Sequence, residues 1–113
     1  MTAHDARLVG AYELPYRHAP DKSLAQMQAE AALGAVADAG LSLKDVDGFF
    51  CGGDTPGMGP MSLIEYLNIT PRHVDSTETG GNSYVSHVAR AARAIDAGLC
   101  DVALITLAGK PRT

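Results

Sequence analysis

The turn Glu78-Thr79-Gly80-Gly81-Asn82 stands where an apolar run gives way to a helix, inside a strand, glycine turn, helix, strand pattern running from Val74 to Leu107. At a helix N-terminus the backbone N–H groups are unpaired and the helix dipole favours negative charge, so oxyanions, thiolates and phosphates are stabilised there. Such an elbow suits a nucleophile, yet this one carries glycines and no cysteine. Gly80 and Gly81 admit two readings: residues required by a tight turn, or the walls of an open pocket for an anion or enolate. Glu78 and Thr79 either close the turn, meet another subunit or line a substrate site. Ser83 is the only aliphatic hydroxyl in the first helical turn, a position where serine is more often a cap than a nucleophile.

The remaining reactive side chains favour packing. Cys51 follows Phe49-Phe50 on an apolar run, and Cys100 lies between a helix and a strand. Free cysteine is among the most buried residue types, so both read as core residues. Two cysteines so far apart suggest neither a metal site nor a disulfide framework. His87 and Arg90 fall on the less apolar face of the helix after the turn, which makes them surface or subunit-contact residues. His73 precedes a strand without an identifiable catalytic partner, and His4 and His18 are placed at the surface. The Gly52 to Gly59 loop lacks the spacing of a phosphate-binding loop.

These groups are positioned by four predicted strands alternating with three predicted helices. Leu8 to Tyr12 reads as a strand, followed by a proline-containing stretch, Leu14 to Pro20. Ser23 and Gln26 have capping-box spacing, Ala25, Ala29, Ala32, Leu33 and Val36 form a helical stripe, and Gly40 closes that helix. Val46 to Cys51 is a second strand. Pro60 suits the first position of a short helix ending at Leu67. Arg72 to Thr77 is a third strand. A helix over about 82–97 is expected to bury Val85, Val88, Ala89, Ala92 and Ile95 and to stop at Gly98. Val102 to Leu107, apolar along most of its length, is a fourth strand of the kind covered on both faces.

Strand–helix alternation predicts parallel βαβ units with right-handed crossovers, hence a layered α/β sheet with covering helices. The fourth strand calls for neighbours on both sides, so the expectation is either an incomplete folding unit or a sheet completed by another chain. The 113 residues carry a net charge of −4, 46% apolar residues and 19% charged residues, a globular composition with no basic cluster for nucleic acid. No apolar run approaches the ~20 residues of a membrane span. The N-terminus lacks a signal-peptide pattern, which makes a cytoplasmic location the default expectation.

Five pieces of the chain, in order and spacing, resemble the N-terminal part of a thiolase-superfamily protein of the sterol-carrier or lipid-transfer type. They are V-G-A-Y-E-L-P-Y at 9–16, L-A-Q-M-Q-A-E-A-A-L-G-A-V-A-D-A-G-L at 24–41, D-V-D-G-F-F-C-G-G at 45–53, V-D-S-T-E-T-G-G-N-S at 74–83 and A-G-L-C-D-V-A-L-I-T-L-A-G at 97–109. The resemblance implies a partial thiolase-like domain over 1–113, the N-terminal portion of a mostly parallel sheet, with the C-terminal half of the fold absent.

In that superfamily the elbow carries an acyl-accepting cysteine. Counting back from the D-V-A-L-I strand places it at about Gly81, or at Gly80 or Asn82 if the register slips by one. The resemblance is greatest to a cysteine-lacking branch, aldolases that cleave β-hydroxyacyl-CoA in steroid side-chain degradation beside a small OB-like partner. It implies a coenzyme A thioester as substrate, no further cofactor or metal, and a homodimer through Arg72 to Thr77. Substrate binding would fall to Glu78, Thr79, Gly80, Gly81 and Asn82, with Ser83 a weak catalytic candidate. An acyl-CoA acyltransferase and a non-catalytic dimerising or scaffold fragment remain open beside the aldolase.

Overall fold

The computed structural model describes residues 6–15, 21, 23–51, 60–76 and 83–106. Its elements are α1 (Leu24–Asp38), a 3-10 turn (Leu43–Asp45), β1 (Gly48–Cys51), α2 (Pro60–Leu67), β2 (His73–Ser76), α3 (Ser83–Asp96) and β3 (Ala103–Ile105). The three strands form one parallel sheet in the order β2-β1-β3, with Gly48 opposite both His73 and Ala103. This is the layered α/β arrangement that strand–helix alternation predicts.

Central position explains the composition of β1, whose four residues Gly-Phe-Phe-Cys are all buried. Phe49 and Cys51 face α1 and α2, where they meet Ala32, Val36, Leu63 and Leu67. Phe50 faces the opposite layer and packs with Ala91 and Ala94 of α3. The chain moves one way from β1 to β2 and the other way from β2 to β3. Crossovers of one hand therefore place α2 and α3 on opposite faces of the sheet.

Local signals set the helix ends. Ser23 Oγ accepts from Gln26 N at 3.1 Å, which forms half of the predicted capping box. The other half is replaced, because the Gln26 side-chain amide donates to Glu30 at 3.3 Å, one turn along the helix. Gly40 (φ 75°) and Gly98 (φ 77°) close α1 and α3 in the left-handed conformation that an L side chain resists. Leu33 leaves the predicted stripe and is exposed, whereas Ala32 and Val36 are buried.

One expectation fails here for a non-local reason. Leu8 to Tyr12 is extended but joins no sheet among the described residues. It lies instead along α1: Ala11 N donates to Asp38 Oδ2 at 2.9 Å, and a Cβ on Gly10 would stand 2.5 Å from the Ala35 carbonyl oxygen. Gly34 likewise makes room for the Tyr12 ring. Among the described residues β3 has one strand neighbour, in keeping with a sheet that is incomplete in this chain. Residues of β3 and the segment from Arg7 to Leu14 line one cleft, together with Ala31 and Ala35 of α1.

Candidate functional site

The two ends of the sheet differ in chemistry. At the amino end one carboxylate gathers all three strands. Asp47 accepts from Val102 N at 2.7 Å, from Asp101 N at 2.9 Å and from Arg72 Nη2 at 2.9 Å. The Asp47 carbonyl oxygen accepts from Arg72 N at 2.7 Å. Burial alone would raise the Asp47 carboxyl, but the Val102 N–H, the Arg72 guanidinium and the Asp101 N–H outweigh it and hold it below its usual range. Arg72 is raised, first through its hydrogen bond to Asp47.

Cys100 is buried at this same end. Burial pushes its thiol up, and the Asp47 and Asp101 carboxylates add to the effect while Arg72 opposes it. A thiol held in its protonated form is a poor nucleophile. This end of the sheet is a structural clasp. Sequence reading overlooked Asp47, although an acidic residue just before an apolar strand, D-V-D-G-F-F-C, was the available signal.

The carboxyl ends of the strands are where open parallel sheets bind ligands. β1 ends there at Cys51, β2 at Ser76 and β3 at Ile105, while α3 starts there at Ser83. Glu78, Thr79, Gly80, Gly81 and Asn82 lie outside the described residues, as does the side chain of Ser83. The predicted contact strand, Arg72 to Thr77, is described as far as Ser76; it forms an outer strand whose Val74 is exposed.

Cys51 is fully buried in the α1/α2 layer. Thr106 N donates to the Phe50 carbonyl oxygen at 3.1 Å, so the β1–β3 register continues and sets Thr106 beside Cys51. Thr106 Oγ1 in turn donates to Gln28 Oε1 at 2.8 Å, and both residues are buried. The two cysteines thus stand at opposite ends of the sheet, and neither is in a disulfide. The Gln28–Thr106 pair escaped sequence reading because 78 positions separate its members.

The face of α3 needs correction. His87 is not on the exposed side: it is fully buried, its ring 6.2 Å from that of Phe50, which has His73 on it at 5.5 Å. Arg90 is at the surface, where it meets Asp75 at 3.2 Å. The expected core residues Val85 (74% exposed), Val88 and Ala89 face outward. The cause is the bulk of Phe50 beneath the helix. Ala91 and Ala94 let α3 approach that ring, whereas a valine stripe would hold it away.

Among the described residues, no group of three or more His, Cys, Asp or Glu side chains could hold a metal ion. No helix there is long and apolar enough to cross a membrane.

Comparison with known proteins gives the fold its relatives. No family model and no curated protein matches the chain. Among solved structures, the Ltp2-ChsH2(DUF35) aldolase is similar at TM-score 0.75 and 27% identity, over 83% of this chain and 25% of that one. Xanthomonas campestris OleA is similar at TM-score 0.66 and 16% identity, over 76% of this chain and 27% of that one. A Cys-to-Ser variant of OleA with bound lauric acid and lauroyl-CoA gives TM-score 0.64, again at 16% identity. The fold is therefore thiolase-like, of the lipid-transfer type. The chain spans about a quarter of the length of the structures it matches.

Proposed function

We propose that this thiolase-like chain forms part of an enzyme acting on acyl-CoA thioesters, and that the complete assembly performs retro-aldol cleavage of a β-hydroxyacyl-CoA. The observation that carries the reading is the 27% identity with an aldolase over 83% of the chain. The T-G-G-N-S turn, which has no cysteine where an acyl acceptor would stand, supports it.

Claisen chemistry transfers an acyl group and needs a covalent acceptor, normally a thiolate of lowered pKa. Neither cysteine suits that task, since both are buried and Cys100 is held protonated. Retro-aldol cleavage needs less. A base removes the β-hydroxyl proton, the electron pair left on oxygen forms the carbonyl π bond, and the bond between the α and β carbons breaks. Its electron pair passes to the α carbon as a thioester enolate, which then takes a proton. The products are an aldehyde or ketone and a shortened acyl-CoA. Stabilising the enolate is electrostatic work for N–H donors, a role this reading gives to Gly80, Gly81 and Asn82 at the start of α3. Glu78 and Thr79 would line the substrate site. The base is assigned to polypeptide outside this segment.

On this reading β2 pairs with its counterpart in a second copy, in keeping with its outer position and exposed Val74. A small OB-fold partner is proposed by analogy with the two-part designation of the related aldolase. The substrate class is a lipid or steroid side chain carried on coenzyme A, degraded in the cytoplasm.

The test is release of an aldehyde or ketone from a β-hydroxyacyl-CoA by the complete protein with any co-purifying subunit. Intact-mass measurement after exposure to an acyl-CoA supplies the counter-test: an acyl group on Cys51 or Ser83 would replace the lyase reading with acyl transfer.

A further inference from the structure

Gln28 is fully buried on α1, and one end of its side-chain amide is unused. Oε1 accepts the Thr106 hydroxyl at 2.8 Å, whereas Nε2 has no partner among the described residues. Turning the amide over exchanges the two ends without removing the deficit, because the hydroxyl engages one end only. The core layer between α1 and the sheet is apolar, with Ala32, Val36, Leu104 and Cys51 among its members. A leucine or methionine there would remove the unpaired Nε2 but would also take the acceptor from the buried Thr106 hydroxyl; the amide serves Thr106 with one end and leaves the other as a penalty to the isolated fold.

Its location gives that penalty a use. Thr106 continues β3 and stands beside Cys51 at the carboxyl ends of two adjacent parallel strands. That is the end of the sheet at which this fold class holds ligands, and the end from which α3 starts. The Thr106 hydroxyl engages Oε1, and this leaves both Nε2 N–H bonds without an acceptor among the described residues.

We propose that Gln28 is a positioning residue of the acyl-thioester site. Its Nε2 donates to a carbonyl oxygen brought to the carboxyl ends of β1 and β3 when the site is assembled. That oxygen belongs either to the bound thioester or to the main chain that cradles it. The assignment rests on the lyase reading for its substrate and on the Gln28–Thr106 geometry for its place.

The experiment compares the complete protein with its Gln28→Met and Gln28→Glu variants, using a β-hydroxybutyryl-CoA probe labelled with carbon-13 at the thioester carbonyl. The expected result is a kcat at least ten-fold lower in Gln28→Met, in protein that keeps a cooperative melting transition. Two arms identify the acceptor. A thioester acceptor gives a bound carbonyl stretch at lower frequency in the wild type than in Gln28→Met. A main-chain acceptor leaves that stretch unchanged and protects the Gln28 side-chain protons from exchange before substrate is added. Wild-type kcat and KM in Gln28→Met overturn the assignment. So do freely exchanging side-chain protons combined with an unshifted carbonyl. The proton-exchange arm needs no substrate. A protein that cleaves no hydroxyacyl-CoA yet protects those protons refutes the lyase reading alone.

Discussion

The Asp47 carboxylate and the Arg72 guanidinium meet at 2.9 Å, and the same carboxylate accepts the main-chain N–H groups of Asp101 and Val102. One side chain therefore fixes where β1, β2 and β3 begin relative to one another. Removing it leaves two N–H groups of the turn before β3 without their acceptor. Asp47→Ala is expected to lose about 2–3 kcal/mol of unfolding free energy, measured by urea denaturation. Arg72→Ala should lose far less, because its guanidinium is exposed to solvent. Equal losses would show that the ion pair, not the main-chain bonds, holds the clasp. The same group sets an acid limit. Its folded pKa lies below the unfolded value, so its contribution is present above roughly pH 3.9 and disappears as pH falls through the folded value. Between those two pKa values the unfolded chain binds the extra proton. Asp47→Asn should flatten the fall in urea midpoint across that window.

Gly48 is required by a close approach. A Cβ there would stand 2.7 Å from Cys100 Sγ and 3.1 Å from Cys100 Cβ, at the start of the central strand. Gly48→Ala should destabilise by about 1–3 kcal/mol through overpacking. Cys100→Ala removes the sulfur, so the double variant should recover part of that loss. A cycle with zero coupling, measured by denaturation of all four proteins, would mean that the strain arises elsewhere.

The orientation of α3 can be read from two truncations. His87 fills the space against Phe50, and its replacement by alanine should lose ~2–4 kcal/mol through the cavity left behind. Val85→Ala should stay within about 0.5 kcal/mol of the parent, as expected for an outward side chain. The reverse ranking would restore the valine face to the core.

Cys51 and Cys100 are both fully buried, at opposite ends of the sheet. Neither should react with an aromatic disulfide reagent on the native protein over minutes. Both should react at once in denaturant. Immediate native modification of Cys51 at neutral pH would mark it as an exposed thiolate and revive the acyl-transfer reading.

Local signals were legible where they decide local structure. Gly40 and Gly98 announced the ends of α1 and α3, Pro60 the start of α2, and the apolar run ending at Phe49-Phe50-Cys51 a strand with its cysteine in the core. What failed depended on distant partners. Leu8 to Tyr12 has the pattern of a strand, but pairing requires a neighbour that no local pattern supplies. The valines of α3 have core spacing, yet the bulk of Phe50 selects the alanine face. The Gln28–Thr106 bond joins residues that nothing in either local sequence connects. Of the candidate site, the turn Glu78 to Asn82 lies outside the described residues, and its chemistry rests on the sequence.

The free edge of β3 gives a residue-by-residue prediction. Val102 O accepts from Gly48 N, and Thr106 N donates to Phe50 O. Because backbone groups alternate along a strand, Leu104 and Thr106 direct their N–H groups toward β1, while Ala103 and Ile105 direct theirs away. Ala103 and Ile105 line the cleft that the Arg7 to Leu14 segment also lines. Amide exchange by NMR should therefore be slow at Leu104 and Thr106 and fast at Ala103 and Ile105. Uniform protection over the four positions would mean that a further strand occupies the cleft in solution. The outward edge would then be paired, and Ile105 would share the protection expected of an inner strand. Uniformly fast exchange would point instead to loss of the β1–β3 pairing, and with it the placement of Thr106 beside Cys51.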